Sequence, residues 1–349
     1  MSVLKKIVLI SCANKKKDEP APAQDLYTSS LFKKNLQYAK LMKPDNIFIL
    51  SAKLGLLPLN KEIAPYDKSL NDMKKQQKQT WAEKVINDLK NKADLDKDRF
   101  IILAGKDYRK FIEPYLNNYE APLKNKPIGR QLEYLNSKID AGKKCSKLHK
   151  LFRRKMRFTF PFDEELLPQN GIYVLFEKGE NGHNGDRIVR IGTHTGENEL
   201  INRLNQHFIK ENKDRSIFRK NLGRCFLNRI SDPFLEKWNL DLISRANREK
   251  HEDEVDFEYQ QEIEHRVTGY LQGAFSFAVI QVSDKERRAS LEARLISTIS
   301  TCDGCEPSQL WFGNYSPKKK IRESGLWQEQ HLYKQLFTDK EFEKFTDYF

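Results

Sequence analysis

Cysteine, histidine and long apolar runs are all scarce in this chain, and each shortage removes a class of protein. Five cysteines among 349 residues, odd in number and widely spaced, make no disulfide framework and fit a reducing compartment. Cys302 and Cys305 alone have the spacing of metal ligands, and with no second pair in the sequence no metal is assigned to them. No histidine occurs in residues 1–148, so Cys12, at the end of an apolar stretch, has no local base and reads as a buried thiol. The apolar run near the start, Ile7 to Ile10, is of strand length, well short of a signal segment or a membrane span. The expectation is a soluble, cytoplasmic protein with no membrane partner.

What the chain has in quantity is positive charge. Sixty-two Lys and Arg against 49 Asp and Glu leave a formal net charge of +13, which suits a surface that contacts phosphates. A generally Lys-rich composition would give the same number, so charge supports a nucleic-acid partner without establishing one. The length exceeds one ordinary core and implies two domains.

The first part alternates strand-like and helix-like segments: Lys6 to Ser11 then Ser29 to Met42, Asn46 to Ser51 then Leu70 to Lys90, and Arg99 to Gly105 then Tyr108 to Asn117. That order predicts an α/β domain with a mainly parallel sheet over residues 1–138. A basic connector follows at 139–160. Between Lys143 and Arg157 it carries Lys143, Lys144, Lys147, Lys150, Arg153, Arg154, Lys155 and Arg157 with no acidic residue, while Leu148, Leu151, Phe152 and Met156 recur at helical spacing. It reads equally as a solvated linker helix or as an element that tracks phosphates. A second domain, 161–349, shows strand (Gly171 to Glu177), strand (Arg187 to Gly192), helix (Glu199 to Phe208), a helical insertion at about 209–270, strand (Phe275 to Val282) and helix (Lys285 to Ile299). The first two strands, joined by a Gly- and Asn-rich turn, predict a hairpin.

In this second domain Gly171-Ile172-Tyr173, Arg190-Ile191-Gly192, Arg203 with His207, Glu292 and Asn314 occur in an order that resembles the GIY-YIG nucleases. The likeness runs from about Asn170 to Tyr315 and includes the local text Ser216-Ile217-Phe218-Arg219 and Trp311-Phe312-Gly313-Asn314. It implies an α+β fold with a small antiparallel sheet flanked by helices. It also implies hydrolysis of DNA phosphodiesters, with RNA left open, assisted by one Mg²⁺ or Mn²⁺ per active site. By the same resemblance Tyr173 is the general base paired with His207, Arg203 contacts the scissile phosphate, Glu292 binds the metal, and Asn314 positions metal or strand. The residues themselves agree with part of this, since Arg203 and His207 at i, i+4 share one helix face. Phosphodiester hydrolysis also needs a base and cationic stabilisation of phosphorus. One position departs: Arg190 stands where the family name has tyrosine, and arginine stays protonated and cannot act as a base. A cation there would activate the phenol or hold the attacking water. His194 is a possible auxiliary in proton handling, or a polar turn residue.

The carboxyl ends of the first domain's strands would gather Ser11, Lys53, Gly55, Tyr66, Asp67, Gly105, Tyr108 and Arg109. The surrounding text resembles an uncharacterised bacterial α/β domain and, in Lys53-Leu54-Gly55-Leu56 and Pro65-Tyr66-Asp67, peroxide-stress proteins of the YaaA type. It reads as a pocket for a nucleotide, modified base or DNA backbone, or as a scaffold whose loops satisfy turns. The expectation as a whole is a two-domain endonuclease of restriction or anti-phage defence, in which double-strand cleavage needs either two subunits, as in a homodimer, or two sequential events at one site. The alternatives are a nucleic-acid-binding protein with a degenerate nuclease fold, and a base- or nucleotide-processing enzyme with its chemistry in the first domain.

Overall fold

The computed structural model describes residues 4–349, which divide into two compact units at Asp140/Ala141. In the first, Ile7, Val8, Leu9 and Ile10 are fully buried because β1 (Lys6–Ser11) is the middle strand of its sheet and has an apolar layer on each face. It pairs in parallel with β2 (Asn46–Ser51) on one side and with β4 (Arg99–Leu103) on the other. The short β5 (Tyr119–Glu120) extends the sheet in parallel beyond β4. At the opposite edge β3 (Gly55–Pro58) folds back antiparallel on β2. Val8 and Ile10 face α1 (Ser30–Leu41) through Phe32, Tyr38 and Ala39, whereas Ile7 and Leu9 face α2 (Lys75–Lys90) through Trp81, Val85, Ile86 and Leu89.

Three details depart from the sequence reading. β3 was not expected, and it begins at Gly55, whose φ of +85° is the left-handed turn that lets the chain reverse. The helix expected over Tyr108 to Asn117 is α3 (Lys106–Arg109) and then a 3₁₀ turn at Glu113–Tyr115, because Pro114 has no N–H with which to continue a helix. Only the first half of the basic run, Lys143 to Lys150, lies in a helix, the 25-residue α4 (Ile128–Phe152), which starts well before it; Arg153 to Arg157 follow its end.

The second unit is built on a four-stranded antiparallel sheet. Its order is β8 (Asp186–Gly192), β7 (Gly171–Asn181), β9 (Phe275–Gln281) and β6 (Phe158–Thr159). One face of β7 and β9 presents Tyr173, Leu175, Phe275 and Phe277. These pack on α5 (Leu200–Phe208), α6 (Ile217–Arg229) and α7 (Phe257–Ala274). The other face presents Ile172, Val174, Phe176, Ala278 and Ile280 to α4, to α8 (Lys285–Thr301) and to the terminal α9 (Asp339–Thr346). The region expected as an insertion therefore supplies core: Phe218, Leu222, Trp238, Ile263 and Val267 are fully buried beneath the sheet.

Candidate active site

β7 and β8 register Gly192 opposite Tyr173, and the phenol lies across Gly192. A Cβ at Gly192 would come within 2.2 Å of the Tyr173 oxygen, so the last glycine of the second triplet is a steric requirement of the tyrosine in the first. Gly171 has a comparable reason, since a Cβ there would meet the Ile280 carbonyl of β9 at 2.5 Å. The Tyr173 oxygen is 2.7 Å from His207 Nε2, and His207 Nδ1 is 2.7 Å from Ser216 Oγ. Ser216 is also the N-cap of α6, accepting the Arg219 N–H.

Arg219 fixes the same histidine from behind. Its guanidinium donates to the His207 carbonyl and to Thr268 Oγ1 and closes a fully buried ion pair of 2.7 Å with Glu264. Burial, and then the charges of Arg203, Arg190 and Arg219, push His207 well below the ordinary histidine value, so it is neutral at pH 7. Ser216, Arg219 and Glu264 are positioning residues absent from the expected site. The signal for two of them was the text Ser216-Ile217-Phe218-Arg219, whose role needed the third dimension.

Arg190, Arg203 and Glu292 line one cleft of about 460 Å³ together with Thr193, His194, Asn221, Gln328 and His331. The Arg190 guanidinium lies over the Phe218 ring at 4.9 Å and donates to the Trp327 carbonyl and to Gln328 Oε1, while its Nε has no hydrogen-bond partner. Arg203 donates to Gln206 Oε1 and the Arg215 carbonyl and remains partly exposed to the cleft. Burial raises the Glu292 carboxyl above its usual value, against the opposing pull of Arg190, His331, the Thr193 N–H and Arg203. Among the described residues no cation closes a direct ion pair on Glu292. A carboxylate in that condition, facing an open polar cleft, fits a hard divalent cation that completes its shell with water and phosphate oxygens. Tyr173 itself is fully buried, with the Arg190 guanidinium among its neighbours.

Two expected residues lie elsewhere. Both Nδ2 hydrogens of Asn314 are used by the Ser308 and Gln309 carbonyls, and Asn314 does not line the cleft. The cleft amides come instead from Asn221, Gln328 and Gln330. His194 does line it, but its Nδ1 is 2.8 Å from the Gly196 carbonyl and its Nε2 accepts the Gly171 N–H. Both nitrogens are engaged by backbone, which favours a turn role over proton handling.

The basic run is similarly divided. Lys144 is buried against Asp339 and the Phe337 carbonyl, and Arg153 holds the His183 and Asn184 carbonyls. Lys155 donates to the Tyr348 carbonyl, and Arg157 pairs with Asp186 and stacks on Phe176. Lys143, Lys147, Lys150 and Arg154 are the exposed members.

In the first unit β1 ends at Ser11 and β2 at Ser51. Tyr66 OH hydrogen-bonds Ser51 Oγ at 2.7 Å and Tyr27 OH at 2.8 Å, and Tyr108 OH lies 3.1 Å from Cys12 Sγ. Burial pushes Tyr27 up to about 12 and raises Tyr66 and Tyr108 as well, so these remain neutral phenols. Lys53 lies over the Tyr66 ring at 5.7 Å, whereas Arg109 is occupied by Glu113 at 2.7 Å. Gly105 is the N-cap of α3, and Asp67 is exposed.

Comparison with known families assigns residues 143–348 to the GIY-YIG domain and residues 7–137 to a family of unknown function, DUF6884. No curated protein and no solved structure matches the chain.

Proposed function

This chain belongs to the GIY-YIG family, whose domain covers more than half of it, and from that premise we propose that the second unit is a divalent-metal-dependent DNA endonuclease. The observation that carries the reading is the Tyr173–His207 pair at 2.7 Å, set behind a cleft that gathers Arg190, Arg203 and Glu292. With the His207 proton on Nδ1 and directed at Ser216, Nε2 accepts the Tyr173 hydroxyl and leaves a phenol lone pair for water. The Tyr173 oxygen then takes a proton from the attacking water as its own proton passes to Nε2; the water oxygen bonds to phosphorus, the bond to the leaving oxygen breaks, and that oxygen takes a proton from solvent, to which His207, disfavoured as a cation by burial and three guanidiniums, gives up its own. Arg203 and Arg190 place cationic donors where negative charge grows on the phosphoryl oxygens. A Mg²⁺ or Mn²⁺ held by Glu292 would supply Lewis-acid stabilisation of that charge.

The position of Arg190 beside the phenol, with an unused Nε–H, supports a cation in place of the family's second tyrosine as compatible with catalysis. The exposed Lys143, Lys147, Lys150 and Arg154 are the members of the basic run available to phosphates, and the neutral tyrosine cluster with Lys53 is the part of the first unit suited to substrate recognition. A role in restriction or phage defence accords with a reader unit joined to a nuclease. Incubation of plasmid and phage DNA with Mg²⁺ or Mn²⁺ tests the proposal: wild type cuts, whereas Tyr173→Phe, Arg203→Ala and Glu292→Gln, each verified as folded, do not. Binding without cleavage by wild type under every divalent ion would instead establish a degenerate nuclease.

A further inference from the structure

At the end of the second unit's sheet opposite the cleft chemistry, three elements bring four metal-type ligands together. Cys145 lies on α4, His183 in the turn between β7 and β8, and Cys302 and Cys305 just beyond α8. Their Sγ and ring-nitrogen atoms all lie within 4.8 Å of one another. Cys145 Sγ is 3.5 Å from Cys305 Sγ, and Cys302 Sγ is 3.4 Å from His183 Nε2. A disulfide would need about 2.05 Å between sulfurs. Four ligands placed tetrahedrally around Zn²⁺, with Zn–S of about 2.3 Å and Zn–N of about 2.0 Å, stand roughly 3.5–3.8 Å apart; the 3.5 Å and 3.4 Å separations are close to that range, and the whole set, within 4.8 Å, needs only a small contraction to reach it. We propose that Cys145, His183, Cys302 and Cys305 form a structural Zn²⁺ site.

The surroundings are those of a ligand set. The Gly304 N–H donates to Cys302 Sγ at 3.3 Å, an interaction that favours thiolate. Gly182 N–H donates to the Gly185 carbonyl at 2.7 Å across a turn whose two central residues, His183 and Asn184, both have positive φ, +50° and +65°. A two-residue hairpin turn requires left-handed backbone at both central positions, which histidine and asparagine tolerate better than most residues, and the turn leaves His183 Nε2 beside Cys302 Sγ. Arg153 holds the turn in place through the His183 and Asn184 carbonyls. The neighbouring His149 is excluded as a ligand because Nδ1 contacts the Cys145 carbonyl at 2.9 Å and Nε2 accepts the Ile188 N–H. It packs against His183 at 5.0 Å between ring centres and so supports the ligand's orientation.

The sequence reading left Cys302 and Cys305 without a metal because their partners are remote: Cys145 precedes Cys305 by 160 residues and His183 precedes Cys302 by 119. All four protein ligands are present, so the site is closed, as structural zinc sites are. It would tie the turn of the β7–β8 hairpin, which carries Tyr173 and Arg190, to the end of α8, which carries Glu292. The proposal stands whether or not the cleft cuts DNA.

The test is elemental analysis of the purified, dialysed full-length protein by inductively coupled plasma mass spectrometry. About one zinc per chain is expected, lost in Cys302→Ser and Cys145→Ser and retained in Cys12→Ser and Cys225→Ser. If the ligand variants do not fold, cobalt replaces zinc in the wild type, and the tetrahedral visible bands with thiolate-to-metal charge transfer are expected. Zinc in trace amounts only, iron in its place, full zinc retention in Cys302→Ser, or an octahedral cobalt spectrum would overturn the assignment.

Discussion

At the scale of single residues, the pair of Tyr173 and His207 makes separable demands on stability and on chemistry. Tyr173→Phe removes one buried hydrogen bond and should cost about 1 kcal/mol in a denaturant titration, while cleavage should fall by roughly 10²- to 10⁴-fold. Gly192→Ala would drive a methyl group into the phenol and should impair both, since that ring is fully buried and hydrogen-bonded to His207. His207 is neutral in the fold and has a pKa well below its unfolded value of 6.5. The unfolded chain therefore binds more protons below that pH, so this contribution is intact above pH 6.5 and is lost as pH falls towards the folded value. Stability measured from pH 7.5 to 5.5 should decline, and in His207→Gln that slope should be smaller by an amount that approaches about 1.4 kcal/mol per pH unit towards pH 5.5. Most of these residues were legible from the order of motifs, and the helical spacing placed Arg203 and His207 on one face. Asn221, Gln328 and His331 were not, because no periodicity marks them. Gln328 and His331 reach the cleft on a segment anchored by the Trp327 N–H on the Val189 carbonyl, a hydrogen bond between residues remote in sequence.

At the scale of elements, the strands with strong apolar runs, β1, β2, β4, β7, β8 and β9, were legible, because period and length alone specify them. β3 was not, since the Leu56-Leu57 run is too short to announce a strand without the Gly55 turn that pairs it to β2. The helical region after α5 looked like an insertion because its polar and charged residues dominate the text. In the fold two of its charges are spent inward, with Arg219 and Glu264 forming a buried pair that carries the His207 backbone. Removing one partner leaves the other charge buried, so Glu264→Gln should destabilise by about 3–5 kcal/mol and also slow cleavage, because Arg219, which holds the His207 carbonyl, loses its charged partner on α7. Arg219→Leu with Glu264→Leu should recover much of the stability without restoring rate. A double-mutant comparison of unfolding midpoints and cleavage rates checks both statements.

At the scale of the whole molecule, an excess of thirteen positive charges concerns affinity more than fold. Neutralising the exposed Lys143, Lys147, Lys150 and Arg154 should weaken DNA binding and reduce the slope of log K against log salt by about 0.9 for each phosphate no longer neutralised by the protein. Arg153→Ala should act differently and mainly lower stability, since that side chain holds the turn carrying His183. Glu292 is a half-buried carboxylate at the cleft wall, kept for chemistry at some cost in stability, and one substitution tests this most directly. Glu292→Gln keeps the shape of the side chain and removes a charge that burial disfavours. Cleavage of plasmid DNA in Mg²⁺ and the unfolding midpoint, measured side by side on wild type and this variant, should show cutting abolished and stability unchanged or raised. A variant that cuts at the wild-type rate would contradict the assignment of this cleft as the site of hydrolysis.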